Sequence, residues 1–142
     1  MPNLNASPVN LDQLYSNSDF ISLHVPLTEQ TYHMVDLPAF RKMKKQAILI
    51  NSSRGAVVDP QSLFQALSQG MIRAAALDVT DPEPIPTESP LLSLANLLIT
   101  PHIASASFST RNKMSLMAAK NLVAGVRGEH LPNCVNPQVY LP

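Results

Sequence analysis

Short apolar runs, separated by polar segments carrying proline, asparagine or glycine, set the rhythm of the chain. Leu11, Leu14 and Tyr15 predict a short helix that ends near Asn17, and residues 20–25 then predict a strand closed by Pro26. Residues 37–43 predict a second helix, with Pro38 in its first turn and Arg41 and Lys42 toward its end, where the helix dipole favours cations. Residues 47–50 form the next apolar run. Asp59 followed by Pro60 is the clearest helix start in the sequence, with Leu63, Phe64 and Leu67 on one face and Gly70 at the end. Residues 74–79 predict a third strand, residues 97–99 a fourth, and residues 109–127 a long helix. In that helix Met114, Ala118, Leu122 and Val126 recur every fourth position as a core-facing stripe.

Short apolar strands that alternate with helices require crossover connections, and hence a parallel sheet. The predicted class is therefore α/β: a partial doubly wound parallel sheet of Rossmann-like type, with about four strands. Residues 1–110 are expected to form part of a nucleotide-binding domain. Residues 111–142 are expected to form a C-terminal helix and tail returning toward a second domain.

Composition narrows the function classes. Hydrophobic residues make up 45% of the 142 and charged residues 14%, too apolar a chain for a disordered tail. Formal net charge is zero, so no global field favours nucleic acid or an anionic membrane, and neither partner is expected. The cluster Arg41, Lys42, Lys44 and Lys45 reads as a solvated helix end. No stretch approaches membrane-spanning length and no basic, apolar leader opens the chain; with one cysteine, Cys134, this predicts a cytoplasmic protein. The four histidines, at 24, 33, 102 and 130, lack metal-ligand spacing, so no metal is expected.

The candidate chemistry lies at the strand ends. His24 and Pro26 follow the first strand, Ser52 and Arg54 the second, Asp78 the third, and His102 and Ser105 the fourth. In a parallel sheet these ends share one edge, the edge where open α/β sheets bind ligands. A histidine after a strand is by itself more often structural than catalytic, but here an arginine and acids converge with it. An arginine fork suits a carboxylate. A protonated imidazole can give its proton to a carbonyl oxygen as hydride reaches the carbon. Glu83, held between Pro82 and Pro84 in a segment with four prolines from Asp81 to Pro90, is either a solvent-exposed loop acid or the group that orients His102.

Three segments carry a resemblance. Asn51-Ser-Ser-Arg-Gly-Ala-Val-Val-Asp59, Ala75-Ala-Leu-Asp-Val-Thr-Asp-Pro-Glu-Pro84 and Thr100-Pro-His-Ile-Ala-Ser105 resemble, in order and separation, the signature segments of the D-isomer-specific 2-hydroxyacid dehydrogenases. The resemblance implies hydride transfer between NADPH or NADH and a small 2-oxo acid such as glyoxylate or hydroxypyruvate, in an enzyme that is a homodimer when complete. It implies Arg54 as the group binding the substrate's carboxylate and carbonyl, His102 as proton donor, Glu83 as its partner and Ser105 near the substrate. It also implies Asp78 by the nicotinamide, with Pro26, Ser52 and Ala104 lining the cofactor; family members often have glycine where Ala104 stands.

The family's Gly-x-Gly-x-x-Gly turn has no counterpart, because the glycines stand singly at 55, 70, 125 and 128. The chain is accordingly expected to correspond to roughly the second half of a family member, lacking the first strands of the sheet. Alone it is expected to turn over neither glyoxylate nor hydroxypyruvate, and to associate through the exposed edge at residues 20–25. The rival expectation is a regulator, either a corepressor sharing the fold or a truncated isoform acting through subunit contacts.

Overall fold

The computed structural model describes residues 6–140, in two compact units that meet in sequence between Ile103 and Ala104. The first unit holds four strands, β1 (Phe20–Leu23), β2 (Ile48–Asn51), β3 (Ala74–Leu77) and β4 (Leu97–Ile99). All neighbouring pairs are parallel and the order across the sheet is β1-β2-β3-β4. Helices α1 (Leu11–Asn17), α2 (Leu37–Lys42) and α3 (Pro60–Ser68) lie in the same unit. This is the predicted α/β parallel sheet: β1 and β3 stop two residues before the expected ends at 25 and 79, β2 runs one residue past 50 to Asn51, and β4 matches 97–99. Each gives way to loop once the ladder bonds stop, as at Pro26, which has no amide hydrogen to contribute.

Register puts Ile21, Leu49, Ala75 and Leu97 in one row and Leu23, Asn51, Leu77 and Ile99 in another, all on one face of the sheet. That face packs with Tyr15, Ala39, Phe40, Leu63, Ala66 and Leu67 of α1, α2 and α3 into a single core. The opposite face is open. Phe20 is 70% exposed and Leu98 is 63% exposed, so the fourth strand is not the fully buried run its sequence predicted. Parallel sheets are ordinarily covered on both faces, and here α1, α2 and α3 all pack on one.

Helix ends follow local chemistry. Asn10, Asp36 and Asp59 each cap their helix with a side-chain oxygen on a backbone amide. Lys42 pairs with Asp12 at 2.6 Å and Lys44 with Asp19 at 2.9 Å, so two cations of the basic cluster meet acids from α1 and from the approach to β1. Gly70 closes α3 at a φ of 65°, a left-handed conformation that glycine adopts at little cost.

Partial burial raises the Asp59 carboxyl, but the hydroxyl and amide of Ser62, His33 and the Gln61 amide outweigh it, and the group titrates below the ordinary carboxylate range. A carboxyl lowered on folding contributes stability above its unfolded-state value, and that contribution is lost as pH falls through the folded-state value. Asp59→Ala is therefore expected to cost about 1 kcal/mol at neutral pH. The difference from the parent, measured by urea unfolding across a pH series, should shrink toward zero in acid. A constant difference down to pH values where every carboxyl is protonated would contradict this account.

The second unit contains α4 (Phe108–Val126), capped by Ser107, and a tail with a short 3-10 turn at Pro137–Tyr140. The expected core stripe is instead exposed: Met114, Leu122 and Val126 all face outward, Val126 at 80%, and Ala124 is the one buried residue of the helix. Spacing identified an apolar face, but a unit made of one helix and a short tail has too little surface to cover it. Among the described residues no helix is long and apolar enough to cross a membrane.

Candidate active site at the strand ends

Parallel strands bring the loops after Leu23, Asn51, Leu77 and Ile99 to one edge, and backbone bonds bind the later ones together. The Asp78 amide donates to Asn51 O at 2.9 Å and the Thr100 amide to Leu77 O at 2.8 Å.

The loop after β2 is built on Asn51. Its side chain is buried, its Nδ2 donates to Arg54 O at 2.9 Å, and its Oδ1 accepts from Ser53 N at 3.0 Å and Ser53 Oγ at 2.9 Å. This is an Asx turn closed at both ends, and it fixes the backbone from which Arg54 projects. The Arg54 guanidinium donates to Ser53 O at 2.7 Å. With His24, Val25, Pro26, Leu27, Ser52 and Ser53 it lines an open hollow of about 570 Å³. Pro26 is held in turn by Thr31, whose hydroxyl donates to Pro26 O at 2.6 Å. Gly55 follows, and here absence of a side chain is obligatory: a Cβ would lie 1.9 Å from Thr80 O.

The loops after β3 and β4 form the second part. Asp78 Oδ1 accepts from Thr100 Oγ1 at 2.6 Å and from the Ile103 amide at 2.9 Å, so this acid ties the two strand ends together. His102 has a φ of 54°, a left-handed conformation uncommon for a residue with a side chain and one that concentrates at functional sites. Its Nδ1 lies 2.6 Å from Glu83 Oε1. A carboxylate accepts and does not donate, so Nδ1 carries the hydrogen and Nε2 is the nitrogen left to exchange a proton. The second hollow, about 220 Å³, is lined by Asp78, Thr80, Glu83, Ile99, Thr100 and His102 among others.

Seven of the nine residues singled out from sequence thus line two hollows on one sheet edge: His24, Pro26, Ser52 and Arg54 in one, and Asp78, Glu83 and His102 in the other. The loop acid Glu83 reaches the histidine. Ala104 and Ser105 open the second unit. Asn51 and Gly55 escaped sequence reasoning. The first carried a readable signal, an asparagine at a strand end before Ser-Ser; the second carried none, because its neighbour at Thr80 is remote in sequence. Among the described residues no group of three or more His, Cys, Asp or Glu is placed to hold a metal ion.

Comparison with known proteins agrees with the parallel α/β fold. Residues 2–104 match the family described as D-isomer specific 2-hydroxyacid dehydrogenase, NAD binding domain. The chain is similar to the glyoxylate reductase of Korarchaeum cryptofilum, with 54% identity over 131 residues, covering 92% of this chain and 40% of that protein. It is also similar in structure to the TT0316 protein of Thermus thermophilus, at a TM-score of 0.86 and 45% identity, covering 89% of this chain and 40% of that one. The NADPH-dependent glyoxylate/hydroxypyruvate reductase of Sinorhizobium meliloti, solved with NADP and malonate, superposes at a TM-score of 0.81 and 35% identity, over 89% of this chain and 40% of that one. The chain spans about 40% of the length of the curated relatives it matches.

Proposed function

We propose that this chain, which belongs to the D-isomer specific 2-hydroxyacid dehydrogenase family, supplies the proton-donating and substrate-anchoring edge of a reductase that converts a small 2-oxo acid into its 2-hydroxy acid. The observation that carries this reading is the 2.6 Å contact between His102 Nδ1 and Glu83 Oε1 at the end of β4. The carboxylate orients the ring through Nδ1, leaving Nε2–H to be given to a carbonyl oxygen. Arg54, whose backbone is fixed by Asn51, binds the substrate's carboxylate with its fork of N–H donors. The family resemblance assigns Ser105 to the substrate. Glyoxylate and hydroxypyruvate are the favoured substrates, since the Korarchaeum and Sinorhizobium relatives are named for them.

A nicotinamide cofactor, NADPH or NADH, supplies the hydride when bound. The residues present suit its nicotinamide end: Pro26 and Ser52 line the open hollow at the ends of β1 and β2 and Asp78 stands at the end of β3, while Ala104, two residues after His102 in sequence, is assigned to the cofactor by the family resemblance. The four glycines stand singly in sequence, so no pyrophosphate turn is assigned to these residues.

The test is a chimaera joining the 142 residues to the remainder of the Korarchaeum glyoxylate reductase. It is expected to oxidise the reduced cofactor only when glyoxylate or hydroxypyruvate is added. A chimaera that binds the cofactor, remains folded and reduces neither acid would overturn the assignment.

A further inference from the structure

The loop that carries Glu83 is fastened at a point well away from His102. His33 precedes the segment that bridges Val35 to Val58, and its amide donates to Ala56 O at 2.8 Å. Its backbone is left-handed, with a φ of 49°, a conformation that costs a residue with a Cβ and persists when the surroundings hold it. What the side chain does there is specific. Nδ1 lies 3.8 Å from Asp59 Oδ1 at the α3 cap, and Nε2 lies 3.9 Å from Asp81 Oδ2 at the start of the Glu83 loop. The Tyr32 ring stacks on the imidazole with centroids 3.9 Å apart and planes within 16°. Nε2 is buried and has no hydrogen-bond partner. The charged and titratable groups facing the ring are therefore Asp59, Asp81 and Tyr32.

We propose that His33 is a positioning residue for the Glu83–His102 pair: its ring spans Asp59 and Asp81, pinning the first residue of the Glu83 loop to the rigid start of α3. The proposal rests on the reading of His102 as proton donor, and it adds a residue outside both hollows to that machinery. Two features show why such a pin matters. Asp81 stands two residues before Glu83, so displacement at Asp81 is passed directly to the carboxylate that meets His102. Thr80, the residue before Asp81, already touches the backbone of Gly55 and donates its hydroxyl to Pro82 O at 2.9 Å. The loop is thus held from below by Gly55 and from the side by His33. Loosening either hold leaves Glu83 fewer restraints against solvent, in which both it and His102 are about half exposed.

The experiment uses the 142-residue chain with His33→Asn, Asp81→Asn and both together. Asparagine tolerates the left-handed backbone at 33 but is too short to reach Asp81, and Asp81 is 40% exposed, so neither change should unfold the protein. Imidazole nitrogen NMR reads the exchange of the His102 Nδ1 proton with water, a quantity that general loss of stability without loosening of the loop does not move. Each single variant is expected to speed that exchange about tenfold, the equivalent of about 1.4 kcal/mol. The double variant should go no further, because both changes remove the same contact. Unchanged exchange in His33→Asn, even with a lower melting temperature, would reduce His33 to a structural role, and additive effects in the double variant would show that His33 and Asp81 act separately; either overturns the proposal. An inactive chimaera with this coupling intact would remove the reductase reading and leave the pin standing. An active chimaera without the coupling would do the reverse.

Discussion

Gly55→Ala is expected to be among the most damaging single substitutions in the chain, lowering stability by about 3 kcal/mol and the melting temperature by roughly 10 °C. The cause is a collision with backbone, which no side-chain rotation relieves. The added Cβ would meet Thr80 O at 1.9 Å, Thr80 C at 2.2 Å and Asp81 N at 2.8 Å. Because the colliding segment leads into Glu83, the substitution acts on the site as well as on the fold. Relief requires the loop after β3 to move off the turn after β2, which lengthens the contact between Glu83 and His102. Thermal unfolding measures the first effect and the His102 Nδ1 proton signal the second. A melting temperature within about 2 °C of the parent would mean that the two loops are not in the contact described.

His102→Asn, placed in the reductase chimaera, is expected to lower kcat by about 10²- to 10⁴-fold, the usual worth of a positioned general acid. Asparagine accepts the left-handed backbone that His102 adopts at a φ of 54°, so the loss should report missing chemistry and not a disturbed fold. Glu83→Gln keeps a hydrogen-bond acceptor beside Nδ1 but replaces a charge-assisted bond with a weaker neutral one. Its loss should be smaller, about tenfold to hundredfold, as for other groups that orient a reacting ligand. In the double variant the penalty should be that of His102→Asn alone, since an orienting group has nothing left to orient. Steady-state rates of cofactor oxidation decide the matter. Full activity of His102→Asn would assign the proton to another donor.

Most of the sheet and its helices were legible because the signals were local. A helix opened by Asp59-Pro60, or an apolar run such as residues 97–99, depends on neighbours in sequence, and these elements appear where expected. The pairing of Glu83 with His102 was legible only as one of two alternatives from the prolines around it, and the family resemblance favoured the pairing that the structure contains. What remained illegible depended on contacts between distant segments. Apolar spacing marked Leu98, Met114, Leu122 and Val126 as residues that prefer a dry surface. It could not say whether these residues would find one, and they are exposed. Gly55 gives no signal of its own in sequence, and its reason is the passage of Thr80 across it. His33 reads as an isolated histidine, and only the fold brings Asp59 and Asp81 to either side of it.

The sheet order β1-β2-β3-β4 also bears on how the molecule assembles. Each strand pairs with its immediate successor along the chain, as in Phe20 with Ile48, Ile48 with Ala74 and Ala75 with Leu97. Every closure therefore bridges a comparable, moderate length of polypeptide, and none requires a strand to be threaded between two already joined. A nascent chain can add strands in the order in which they are synthesised. The turn bearing Arg54 is then complete before β4 arrives, and His102, just past the end of β4, takes its place last.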